Sequence, residues 1–170
     1  MSISNALAQE YEQEAQTTRR VLERVPDDKL TWKPHPKSMS LGYLAMHIAT
    51  AQGSCAGWTL KDQFDFGAGG GRPGDPTTTA EILAAHDKSV ETVKDVLNTL
   101  GDDGLRQMWE AKMGGQTMMK MPKAAVVRNI VMNHIYHHRG QLTVYLRLLD
   151  VPVPSIYGPS ADENPFAART

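Results

Sequence analysis

Cys55 is the only cysteine in this 170-residue chain, so neither an internal disulfide nor a cysteine-ligated zinc site can be built from it. Basic runs are equally scarce. None is longer than two residues, and the formal net charge is −1. A groove that neutralises phosphates needs a clustered Lys/Arg face, so nucleic acid is not an expected partner. No apolar stretch approaches the roughly 18 residues that span a bilayer, which excludes a membrane helix. The opening Met1-Ser2-Ile3-Ser4-Asn5-Ala6 has no charged segment leading into an apolar one, so no signal peptide is read there. The expectation is a cytoplasmic protein folded as one domain over residues 1–170.

Several catalytic signatures are missing too. There is no His-Glu-x-x-His for a zincin-type protease and no Gly-x-Ser-x-Gly for a serine hydrolase. No Glu-x-x-His pair is present, as a ferritin-like di-iron bundle would need. The glycine-rich stretch within residues 64–78 lacks Gly-Lys-Ser/Thr and cannot be read as a phosphate cradle. It is read as a loop.

What is present is helical periodicity. Leu7, Tyr11, Glu14, Thr18, Val21 and Val25 alternate spacings of four and three, which predicts a helix from about Ser4 to Val25. Residues 27–39 hold Trp32, Pro34 and Pro36 and form a connector. Ser40 is a natural N-cap for a second helix with Leu44, His47, Ala51, Cys55 and Trp58 inward. Thr78 and Glu81, spaced as in a capping box, open a third helix from Thr79 to Leu100, with Ile82, His86, Val90, Val93, Leu97 and Leu100 on its seam. Gln107 to Met113 and Gln116 to Met121 flank Gly114-Gly115, predicting a short β-hairpin near 107–121. A last helix opens at Pro122 and runs to about Leu149, its seam being Val127, Val131, His134, His138, Gln141, Tyr145 and Leu148. Prolines at 152, 154 and 159 then enforce an extended tail. Four such helices make an all-α four-helix bundle, and the long 61–78 and 101–121 connections permit crossovers.

The chemistry lies in the histidines. His134 and His138 are four apart, so their rings share one helix face one turn apart. Burying two imidazoles without partners costs a few kcal/mol, which a shared metal ion or core hydrogen bonds would offset. His47 is a third histidine on an inner face. Three imidazoles with no fourth protein ligand suit Zn, Ni or Fe and leave a position for water. His137 competes with His138 but falls about 100° off the seam.

His86 reads as a fourth ligand, a supporting group, or a boundary residue with its ring partly in water, the last being preferred. His35 lies between two prolines with no pattern supporting it. Glu14 interrupts the first helix's seam, where it could orient a ligand histidine, take a proton, or reach solvent at the seam edge. Gln141 and Tyr145 follow His138 and either touch a substrate or fill the core. Cys55 lies about 12 Å beyond His47 along its helix, too far to share its metal. It reads as a small buried apolar residue.

Three stretches together resemble the DinB-like (damage-inducible) superfamily of small metal-binding helical bundles. They are Leu30-Thr31-Trp32-Lys33-Pro34-His35-Pro36 through Ser40 to Ala49, Asn133-His134 through His138-Arg139-Gly140-Gln141-Leu142, and Val151 through Glu163. The resemblance implies a bundle with crossed connections and a divalent metal held by His47, His134 and His138. It also implies a low-molecular-weight thiol as partner, since some relatives look like thiol S-transferases or thiol-dependent isomerases. The function expected is a metal-dependent thiol transferase or hydrolase. The rival is a noncatalytic bundle whose metal is structural, or a dimeric binding module.

Overall fold

The computed structural model describes residues 2–68 and 74–167. The central part of the glycine-rich stretch, residues 69–73, lies outside the described residues. Helix α1 (Ile3–Leu22) is capped by Ser2, α2 (Leu41–Trp58) by Ser40 and α3 (Thr79–Arg106) by Thr78, each through a side-chain oxygen that accepts a first-turn N–H. Serine and threonine do this because a short hydroxyl reaches the orphan amide donors. Glu81 completes the start of α3 one residue earlier than a capping box would, accepting from the N–H and hydroxyl of Thr77 at 3.0 and 2.6 Å. The first helix ends at Leu22 rather than Val25, although Val25 still packs into the core.

The bundle's connections are crossed. Helices α1 and α2 each pack on α3 and on the last helix, so these two sequence neighbours occupy opposite corners. Tyr11, Leu22, Leu41, Leu44, Ile48, Ile82, Leu97, Leu142 and Leu146 fill the space between them. Each large apolar side chain buried there contributes roughly 1.5–3 kcal/mol. No helix among the described residues is long and apolar enough to cross a membrane.

The third helix, predicted to end at Leu100, continues to Arg106 across a kink. Gly101 adopts φ 53°, ψ −168° and breaks the helical path, so one further turn (102–106) follows at a new angle. The predicted hairpin is strand β2 (Met108–Met113) antiparallel to β3 (Gln116–Pro122), turned by Gly114 and Gly115 at φ 59° and 83°. Positive φ at both turn positions is what glycine supplies. A third strand, β1 (Gln63–Asp65), pairs parallel to β2 in a stretch read from sequence as loop. The Asp65 carboxylate fixes this arrangement by accepting from the N–H groups of Gly67, Gly114 and Gly115 at 2.8, 2.9 and 2.7 Å. Trp109 and Ala111 turn inward from β2 to form a small second core with Val126.

The last helix starts at Lys123, because Pro122 still belongs to β3. It consists of α4 (Lys123–Val126), a π-helical stretch Val127–Met132, and α5 (Asn133–Leu148). A π turn, bonded i to i+5, advances the chain by less than an α turn per residue. This corrects the seam: the fully buried line along α5 is Ile135, Arg139, Leu142 and Leu146. His134, His138, Gln141 and Tyr145 form its half-buried flank, and Leu148 is exposed.

Candidate metal centre

Helices α2 and α5 pack side by side, and their half-buried histidines meet in the seam between them. His134 Nε2 is 3.3 Å from His47 Nε2 and 2.9 Å from His138 Nε2. One ligand atom from each of the three fits within 4.8 Å of the others. A metal about 2.1 Å from each nitrogen would separate ligand pairs by about 3.0 Å at a right angle and about 3.4 Å at a tetrahedral one. The separations from His134 to His47 and to His138 lie close to these values. The rings meet nearly edge to face, with interplanar angles of 73–90°. Tyr43, one turn before His47, stacks on its ring at 6.3 Å.

Protonation favours the same reading. Burial lowers the pKa of all three histidines, and His134, which also faces the charges of its neighbours, is pushed down to about 4. All three are therefore neutral at pH 7, the state in which imidazole ligates. Gln141 Oε1 lies 2.7 Å from His138 Nδ1. The Nδ1–H donates to it, which leaves Nε2 as a lone pair turned toward the cluster. Two facing imidazole nitrogens can share at most one proton, so three converging Nε2 atoms leave lone pairs that a cation would satisfy. Among the described residues no carboxylate or thiolate joins this group.

The other candidates part company from the centre. Glu14 lies across α5 from it: its carboxylate meets Arg139 Nη2 at 2.8 Å and accepts from the Tyr157 hydroxyl at 2.8 Å. Arg139 is 1% exposed and also donates to the Glu14 carbonyl and Thr18 Oγ1. Its guanidinium lies near the rings of Tyr136 and Tyr157. Arg139 follows His138 by one residue, about 100° around the helix, which explains why the two side chains serve opposite flanks. Glu14 therefore sits at the half-buried edge of its seam, where its side chain keeps 17% of its surface and pairs with Arg139 instead of orienting a histidine.

His86 corrects a second expectation. It is 1% exposed rather than partly in water, because α1 and α2 close over it. Its Nε2–H donates to the Ala15 carbonyl at 3.1 Å, and its Nδ1 accepts from Gln52 Nε2 at 2.7 Å. Gln52 in turn accepts from Tyr11 at 2.5 Å, so three helices are tied by one buried chain of hydrogen bonds. His86 is thus a structural residue, neither a fourth ligand nor a boundary histidine. Tyr145 donates to the Met39 carbonyl at 3.4 Å and packs edge-on against Trp32, joining α5 to the connector. His137 is exposed, and Cys55 is buried with its thiol pushed up to about 12. His35 is exposed in the connector, its Nδ1 accepting from the Lys37 amide.

With the geometry in hand, the DinB family model matches residues 1–165. The chain belongs to the DinB family. It is 28% identical over 153 residues to YrdA of Bacillus subtilis (strain 168), an uncharacterized protein, covering 90% of this chain and 87% of that one. A crystal structure of a DinB-like protein from Bacillus cereus ATCC 10987 aligns with a TM-score of 0.72 at 25% identity, over 90% of this chain and 97% of that one. A DinB-like protein from Bacillus subtilis, YjoA, aligns at 0.66 and 20% identity over 87% and 96%, a likeness of fold alone. Family membership and the converging histidines are both compatible with metal binding.

Proposed function

We propose that this DinB family protein is a metal-dependent enzyme of the thiol S-transferase or hydrolase type. His47, His134 and His138 hold one divalent ion (zinc, nickel or iron), and a small-molecule thiol or a water takes its free position. The observation that carries this reading is the convergence of three Nε2 atoms with no carboxylate or thiolate joining them among the described residues. A divalent ion so held lowers the pKa of a bound thiol or water and supplies the nucleophile at neutral pH. The chain's own residues have narrower tasks. Gln141 holds His138 in the tautomer that presents Nε2, and Tyr43 braces the His47 ring.

The half-buried position of the three rings favours an open centre over a closed structural one. Cobalt-substituted protein tests this. Azide, imidazole or 2-mercaptoethanol should change its visible spectrum saturably, and activity with electrophiles should require the thiol. A spectrum that none of the three perturbs, joined to a large rise in melting temperature on metal loading, would instead mark a structural ion in a noncatalytic bundle.

A further inference from the structure

The groove of about 460 Å³ at the amino-terminal end of α2 contains none of the three histidines, yet it adjoins their flank of the bundle. Its wall is the 30–40 connector, which presents Lys33, Lys37, Ser38, Met39 and Ser40, with Asp75 facing them from the segment before α3. Its volume is in the range of small-molecule sites. Lys33 and Lys37 are exposed, and neither lies within ion-pair distance of a carboxylate among the described residues. Against the single Asp75 carboxylate, the two ammonium groups leave the groove net positive.

Its distance from the centre follows from two helices. Ser40 precedes His47 by seven residues on α2, and Tyr145 follows His138 by seven on α5, so each lies two turns, about 10 Å, from the histidines on their own face. The Tyr145 hydroxyl donates to the carbonyl of Met39, which lines the groove. Both helices therefore carry the histidine flank to one rim of the groove.

From this juxtaposition we infer that the groove binds the anionic end of the thiol taken up at the three-histidine centre, with Lys33 and Lys37 holding its carboxylate beyond the rim that Ser40 and Tyr145 form two turns from the histidines. The inference rests on the reading of the centre given under Proposed function. It selects an extended thiol bearing carboxylate over a small neutral one. The lysines are positioning residues that fix the far end of the molecule and touch no reacting atom.

The test uses cobalt-loaded full-length protein and two probes, glutathione and 2-mercaptoethanol, read by the visible spectrum. Glutathione should bind the wild type about tenfold more tightly than 2-mercaptoethanol and lose that advantage at high salt. The Lys33→Gln/Lys37→Gln variant should bind glutathione about five- to tenfold more weakly while its cobalt content and 2-mercaptoethanol affinity stay unchanged. Equal glutathione affinity in wild type and variant would overturn the inference. If neither thiol perturbs the cobalt, the reading of the centre fails instead. A titration with inorganic phosphate, followed at the Ser38 and Ser40 amides by NMR, then decides the groove separately. Shifts in the wild type that the variant lacks keep it as an anion site, and shifts in neither remove it.

Discussion

Replacing Glu14 by Gln should destabilise the protein by about 3 kcal/mol without weakening metal binding. Arg139 keeps 2% of its side-chain surface and Glu14 keeps 17%, so this ion pair is held largely out of water. Removing one partner of such a pair costs about 3–5 kcal/mol, most of it from the charge left uncompensated. Glutamine retains one carbonyl oxygen to accept from Arg139 or Tyr157, which places the loss at the lower end. For a chain of this length each kcal/mol moves the midpoint roughly 2–4 °C, so Tm should fall by about 6–12 °C. Urea unfolding should show the same loss as a lowered midpoint at unchanged slope. Arg139→Met should cost less, because the Glu14 carboxylate can still reach water. The double variant should be more stable than the sum of the single losses implies. A Glu14→Gln loss below about 1 kcal/mol would refute this account of the pair, and a parallel loss of metal would put Glu14 back beside the histidines.

Three further outcomes follow from the geometry. Gln141→Leu should lower metal affinity about 10–100-fold in competition with a chelator while His138 remains present, because the Nδ1–H loses its acceptor; unchanged affinity would deny Gln141 its orienting role. Burial depresses the pKa of His47, His86, His134 and His138, so the neutral rings stabilise the metal-free fold fully above the unfolded value near 6.5. That contribution is lost as the pH falls through the folded values, about 4 for His134, and urea midpoints should already decline between pH 6.5 and 5; a flat profile would contradict the buried neutral state. Gly101→Ala should cost about 1–3 kcal/mol from its backbone alone, since an added Cβ meets nothing within 4 Å, whereas Gly140→Ala within α5 should stabilise slightly; equal effects in thermal melts would contradict the kink.

The convergence of His47, His134 and His138 was more legible in the sequence than their surroundings. The four-residue spacing of His134 and His138 survives because both lie past the π stretch, in regular helix where the 100° rule holds. The caps of α2 and α3 and the Gly114-Gly115 turn were legible for a similar reason: each depends on neighbours within a few residues. The line that is fully buried on α5 was not legible, because periodicity counted through Val127–Met132 assumes a turn that the chain does not make there. Strand β1 was hidden by its length, three residues with one large apolar side chain, and by pairing to β2 some 47 positions later. Long-range partners set the remaining differences. Arg139 draws Glu14 from 125 residues away, and Gln52 takes His86 into the core from another helix. A seam reveals which side of a helix is inward, but not which polar group waits on the other helix.

Elemental analysis of protein purified without an affinity tag, in wild type and His138→Ala, tests the central claim most directly. The account predicts about one zinc, nickel or iron per chain in the wild type, lost in the variant while helical circular dichroism persists. No metal in either protein, even after the ions are added, or equal metal in both, would contradict a centre built from His47, His134 and His138.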